Sequence, residues 1–187
     1  MNKAIITFLI ALVLLFAPAT LHAEGIAGQS ATITYSVFTD NKCKLPLNYA
    51  QKKKAIEKVL AKYNSPLAGE VDTFISACQT YGMDCYLLPA ITGLESSFGQ
   101  FIWPDSHNPF GWGGGYIMFD NWSDGIMTVA SGLHENYIQR GANDLYAIGP
   151  IYSESPTWAV RVEKFMAEME HEEKDMQLFL GDNQVQL

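Results

Sequence analysis

Residues 88–115 read LPAITGLESSFGQFIWPDSHNPFGWGGG. The first part has a helical period: Ile91, Leu94 and Phe98 recur at spacings of three and four. Pro89 lies near the start, where a missing N–H costs little. Glu95 falls four residues after Ile91 and three before Phe98, on or beside the face that packs inward. Burial disfavours the charged form of a carboxyl, so such a group keeps its proton closer to neutral pH. A proton-bearing carboxyl is what protonation of a glycosidic oxygen requires. The plainer alternative is a Glu95 bonded to backbone or to Ser96 or Ser97. From Gly99 to Tyr116 the glycines, prolines and asparagines predict a loop.

Helical patterns continue on both sides. Tyr49–Tyr63 sets Ile56, Val59 and Leu60 on one face and its lysines on the other. Ser65–Pro66 predicts an N-cap with proline at the first helical position, opening a helix to about Thr80 with Leu67, Val71, Phe74, Ile75 and Cys78 at helical spacing. After the loop, Ser123–Gln139 predicts a helix that buries Ile126, Val129, Ala130, Leu133 and Tyr137 and stops at Gly141. A short helix is expected over Asp144–Ile151. Ser155–Pro156 repeats the cap-plus-proline start for a last helix that runs to about Leu180 and ends at Gly181. Its second half, EMEHEEKDMQ, is a solvated acidic face. No pair of strands with a credible hairpin turn is present, so the expected fold class is mostly α. The strand-like alternation of Ala31–Phe38 has no partner and predicts an extended arm.

The chain has 187 residues, enough for one domain with a real core. With 48% hydrophobic and 17% charged residues, it has the composition of a folded protein rather than a disordered one. Lys3, the apolar run AIITFLIALVLLF (residues 4–16) and the small residues Ala17, Ala19 and Ala23 read as a secretory signal cut near Ala23–Glu24. That run is short for a membrane span. The expected organisation is residues 1–23 signal, 24–48 arm, 49–180 a single domain and 181–187 tail, in a protein that is secreted or resides in the periplasm. Without Lys3, 11 basic residues face 20 acidic ones, a net charge of −9. This argues against nucleic acid and against anionic membrane surfaces. Membrane contact is expected only through the signal, and the protein is expected to be a monomer.

Cys78 and Cys85 flank Tyr81–Gly82, a turn between helices, so they could pair. Cys43 could instead pair with either, or all three could stay reduced. No spacing of Cys and His fits a metal, and no cofactor is implied.

The E-S-S-F-G of Glu95–Gly99, the N-P-F-G of Asn108–Gly111 and the segment Tyr152–Ala159 (YSESPTWA) together resemble the glucosaminidases of glycoside hydrolase family 73. Glu95, Ser96, Phe98 and Gly99 match that family's E-S-G-W/F-G-type motif, and Asn108, Phe110 and Gly111 match its N-x-F-G loop. Tyr152, Pro156 and Ala159 are identities with its Y-A-T-D-P-x-Y-A segment, with Trp158 in place of an aromatic. The resemblance covers roughly residues 86–166. It implies a lysozyme-like helical domain, and peptidoglycan, or a related glycan containing N-acetylglucosamine, cut in the manner of an endo-β-N-acetylglucosaminidase with Glu95 as general acid. The E-S-x-F piece also resembles soluble lytic transglycosylases, whose downstream G-L-M-Q element is absent. A non-catalytic wall-binding module is the third reading.

There is a departure from the family. A β-hairpin lobe there usually separates the N-x-F-G loop from the next helix and carries a second acidic residue. Here only Gly113–Asp120 stands between Trp112 and Asn121, so little or no β lobe is expected. Asp120 is the candidate for a second catalytic carboxylate, with Asp124 and Asp105 nearby. The plainer roles are helix N-cap for Asp120 and Asp124 and exposed loop residue for Asp105. The substrate's own 2-acetamido oxygen could replace a missing carboxylate. By analogy with the family, Tyr152 would orient water or an oxocarbenium-like transition state; an interhelix hydrogen bond is its plainer role. Ser96, Asn108, Phe110, Trp112 and Tyr116 are the candidate substrate-binding residues. With Phe101 and Trp103, the loop aromatics offer faces on which pyranose rings stack. Trp112 is the strongest of them, while Phe98 and Phe110 are expected to cap the core.

Overall fold

The computed structural model describes residues 46–181; the expected signal segment, the arm with its Ala31–Phe38 alternation, Cys43 and the tail beyond Gly181 lie outside them. Six α-helices run through the described residues: α1 (Pro46–Lys62), α2 (Val71–Tyr81), α3 (Leu87–Ser96), α4 (Trp122–Asn136), α5 (Leu145–Tyr152) and α6 (Trp158–Gly181). Short 3-10 turns lie at Pro66–Glu70, Trp112–Gly115 and Ile138–Arg140, and the described residues contain no strand. The mostly α expectation is met.

Local chemistry explains most of the boundaries. Helix α1 starts at Pro46, earlier than its apolar pattern suggested, because proline at a first helical position has no N–H to lose. Ser65 caps the next segment, its side chain accepting from the Leu67 N–H at 3.0 Å. The first turn after that cap is 3-10, and α2 proper begins at Val71. Helix α2 stops at Gly82, which takes the left-handed conformation (φ 63) and donates its N–H to Cys78 O. A Cys78–Cys85 disulfide spans this corner, with the Cα atoms 4.9 Å apart. Asp144 caps α5 by accepting from the Ala147 N–H at 2.8 Å.

Three further boundaries differ from expectation. The N-cap of α4 is neither Asp120 nor Asp124 but Asn121, whose extended backbone lets its side chain accept from the Asp124 N–H at 2.8 Å. Asp124 instead sits in the first turn, where its charge meets the positive end of the helix dipole. Helix α4 also ends at Asn136 rather than Gln139: Tyr137 leaves helical geometry (φ −121, ψ −63), and a 3-10 turn then closes on left-handed Gly141. Ser155–Thr157 form a turn in which Trp158 N–H donates to Ser155 O at 3.1 Å, so α6 begins at Trp158.

Helix α3 forms the centre. Leu87 to Gly93 are buried without interruption, as expected of a helix apolar on all sides. Helix α6 packs along α1 and α3, α4 packs on α2, and α5 packs against α6. Buried Glu173 of α6 accepts from Tyr86 Oη at 2.6 Å and Lys52 Nζ at 3.2 Å, which joins α6 to α1 and to the start of α3. At the other end of α3 the chain reverses through Ser97 (φ 49) and Phe98 (φ 59), both left-handed. This conformation costs about 1–2 kcal/mol per non-glycine residue. It turns the Phe98 ring back into the core, fully buried between Tyr63 (ring centroids 4.6 Å) and Phe165 (5.2 Å), a burial of similar stabilising size. The ring lies against Gly93, where an added Cβ would come within 2.7 Å of it.

Candidate active site

The central helix reaches the surface at its last turn, with Leu94 half-buried and Glu95 exposed as a residue. By its spacing from Ile91 and Phe98, Glu95 is expected on or beside the inward face. It emerges instead at the surface, because the chain leaves α3 directly after Ser96 and Phe98, not a further helical turn, covers the core.

The carboxyl end of Glu95 is nevertheless partly shielded. Its Oε1 accepts a hydrogen bond from Trp158 Nε1 at 2.7 Å. Trp158 is the first residue of α6, is 2% exposed and stacks on Tyr152 with centroids 4.8 Å apart and planes 29° apart. Tyr152, the last residue of α5, donates its hydroxyl to Phe110 O at 2.7 Å. A chain of contacts therefore runs from the end of α3 through the starts and ends of α6 and α5 to the N-P-F-G loop. Burial raises the Glu95 carboxyl above the ordinary carboxylate range; the Trp158 N–H and the Arg161 charge act in the opposite direction and do not cancel it. Burial, followed by the nearby charge of Glu95 and by Tyr137, pushes the Tyr152 phenol well above its usual value. Tyr152 thus stays neutral, with its proton directed to the Phe110 carbonyl. Its hydrogen bond ties the end of α5 to the N-P-F-G loop rather than to another helix.

Two polar candidates turn inward. Ser96 is 3% exposed; its Oγ donates to Pro109 O at 2.7 Å and accepts from the Gly99 N–H at 2.9 Å. It ties the end of α3 to the N-P-F-G loop. Asn108 is also 3% exposed; its Nδ2 donates to Trp112 O at 2.9 Å and Ile117 O at 3.1 Å, and its Oδ1 accepts from the Trp112 N–H at 3.0 Å. Its amide is occupied in holding the glycine-rich turn. Phe110 is wholly buried and offers only its carbonyl, to Tyr152.

The aromatics divide into two groups. Trp112 is half-buried and forms a triangle with Tyr137 (6.1 Å) and Tyr152 (5.9 Å). Trp112, Tyr137 and Tyr152 line a cavity of about 310 Å³ together with Gly111, Gly113 and Gly114. Glu95 lies next to Gly111 of this wall: a Cβ on Gly111 would lie 3.7 Å from Glu95 Oε2. Trp112 also borders a second cavity of about 470 Å³, whose wall includes Thr128, Ser131 and Glu135 of α4. Tyr116 is 77% exposed and packs beside Trp103 at 6.2 Å, in an outer group with exposed Phe101, Ile117 and Met118. Asp120 is exposed just ahead of the Asn121 cap and is not among the groups that act on Glu95.

Glu95, Trp112 and Tyr152 are thus brought to one place, Ser96, Asn108 and Phe110 form the framework behind it, and Tyr116 and Asp120 stand apart. Sequence reasoning missed Trp158 as the partner of Glu95 and Tyr137 as a wall of the cavity. The first had a signal, an aromatic in the Tyr152–Ala159 segment, but its 63-residue separation from Glu95 hid the contact. The arrangement can present a proton on a partly desolvated carboxyl beside an aromatic cavity with a glycine wall. No protein-family model matches the chain, and no curated protein matches its sequence.

Proposed function

We propose that this protein cleaves the glycan strand of peptidoglycan, with Glu95 as the general acid on a lysozyme-like helical scaffold. The observation that carries the reading is Glu95 itself: a carboxyl raised by burial, anchored by an indole N–H, next to Gly111 of a cavity walled by Trp112, Tyr137 and Tyr152. A raised carboxyl retains its proton for transfer, and flat apolar rings suit the faces of pyranoses. The E-S-S-F-G, N-P-F-G and Tyr152–Ala159 segments that resemble the family 73 glucosaminidases all meet at this point. The signal-like N-terminus suits a protein that works in the periplasm or outside the cell.

The short Gly113–Asp120 connection, which leaves no room for a β lobe carrying a second acid, favours a substrate-assisted route. Glu95 gives its proton to the glycosidic oxygen as the C1–O bond breaks, and the 2-acetamido oxygen of the sugar forms a bond to C1. Water then opens the resulting oxazolinium ion at C1 and returns a proton to Glu95. The test is to digest purified peptidoglycan with the chain freed of residues 1–23 and to read the products by mass spectrometry. Reducing N-acetylglucosamine ends support the proposal. Anhydro-muramyl ends would assign a lytic transglycosylase, and binding to sacculi without any product would leave a wall-binding module.

A further inference from the structure

The geometry points to Trp158 as a positioning residue that decides which oxygen of Glu95 delivers the proton: Oε1 is held by the indole N–H, so Oε2 is the donor. The inference rests on the acid role proposed above for Glu95.

A neutral carboxyl carries one proton. The indole N–H is a donor with no acceptor capacity, and it lies 2.7 Å from Oε1. Oε1 therefore offers a lone pair, and because the carbonyl oxygen of a neutral carboxyl is its stronger acceptor, the contact favours the acidic proton on Oε2. That oxygen faces Gly111, where an added Cβ would approach to 3.7 Å, and Gly111 is part of the cavity wall with Trp112 and Tyr152. The proton is thus held beside Gly111, a residue of the cavity wall. The contact also favours the reaction: an N–H bond to a carboxylate is stronger than one to a neutral carboxyl. The grip of Trp158 tightens as the proton leaves and stabilises the charge that develops on Glu95.

Trp158 is itself fixed. It is 2% exposed, opens α6 and stacks on Tyr152, whose hydroxyl is bound to Phe110 O. The other groups facing Glu95 are Arg161, further along α6, which favours the carboxylate, and Tyr152 of α5, which stays neutral with Tyr137 behind it. Arg161 supplies charge without fixing an oxygen; the neutral indole of Trp158 fixes Oε1 through its hydrogen bond.

Two measurements on the chain freed of residues 1–23 test this. In the first, the chain is labelled with ¹⁵N-tryptophan and the indole N–H resonances, one for each of the 4 tryptophans, are followed through a pH titration. The Trp158 resonance is expected to move through one inflection above the ordinary carboxylate range, and the inflection is expected to vanish in Glu95→Gln. A Trp158 resonance that does not follow Glu95 overturns the inference. In the second, Trp158→Phe keeps a ring on Tyr152 and removes the donor. Its kcat on peptidoglycan is expected to fall about 10- to 100-fold, with KM within about twofold. The alkaline limb of its kcat/KM profile is expected to move to higher pH, since a group that held the Glu95 pKa down is gone. If Trp158→Phe does not fold, benzothienylalanine at position 158 replaces the N–H by sulfur within the same ring outline. A wild-type chain that releases no product overturns the enzymatic reading and this inference with it. An active wild type whose donor-free variant keeps both kcat and pH profile overturns the inference alone.

Discussion

Replacing Asn108 by Asp changes one group, NH₂ to O, and tests whether this residue serves the loop or the substrate. Asn108 is 3% exposed and donates to Trp112 O and Ile117 O. In Asn108→Asp both donors become an oxygen that faces two carbonyls. Two hydrogen bonds worth about 1 kcal/mol each are lost, and the partly buried Trp112 and Ile117 carbonyls and the new oxygen are left without those donors at about 1–3 kcal/mol more. The expected destabilisation is about 3–5 kcal/mol near pH 7, at the large end for a single substitution. The introduced carboxyl can recover one bond only when protonated, so burial raises its folded pKa above the unfolded value. The folded state then binds more protons, and the deficit relative to wild type grows as pH rises through that range and shrinks as pH falls. Urea unfolding of both proteins at about pH 7 and pH 4 measures it. A loss below about 1 kcal/mol at both pH values, combined with a raised KM, would refute the structural role and return Asn108 to substrate binding.

Glu95→Gln is expected to be no less stable than wild type, because the native site disfavours the charged carboxyl and a neutral amide avoids that cost. With the folded pKa raised, wild-type stability falls as pH climbs from the unfolded to the folded value, so the advantage of the variant should widen over that window; urea midpoints across pH read it, and a variant less stable above the window than below it would contradict the assignment. Removing the Cys78–Cys85 bridge with the double Ser variant should lower unfolding free energy by about 2.5 kcal/mol, the loop-entropy value for its sequence separation of 7, with no change in the products released. Ser65→Ala removes both the Leu67 cap and the donor to Phe98 O at 2.7 Å and should cost about 2 kcal/mol by thermal or urea unfolding; a change below about 0.5 kcal/mol would show that water replaces the hydroxyl.

What could be read from sequence was local. The Ser65–Pro66 start, the Asp144 region, Gly82 and Gly141 announce themselves because cap and turn chemistry involves neighbours in the chain. Where several cap residues crowd together, as at Asp120, Asn121 and Asp124, composition could not choose among them; backbone geometry selected Asn121. The apolar stripe of α3 was visible, but its nearly complete burial was not, since that depends on α6 folding over it from far along the chain. The same separation explains the site. Glu95 stood out by residue type, whereas its shielding comes from Trp158 and its neighbouring cavity from Tyr137 and Tyr152. Ser96 and Asn108 carried a polar signal that function and framework share, and only their bonds to Pro109, Trp112 and Ile117 distinguish the two.

The central claim is that Glu95 supplies the proton for glycan cleavage. Its most direct test is the rate of soluble fragment release from purified sacculi by wild type and by Glu95→Gln, at equal amounts of wall-bound protein. The account predicts that the variant binds as well as wild type and releases fragments at least about 10²-fold more slowly, the loss of one general acid. Equal rates from the two proteins would contradict it.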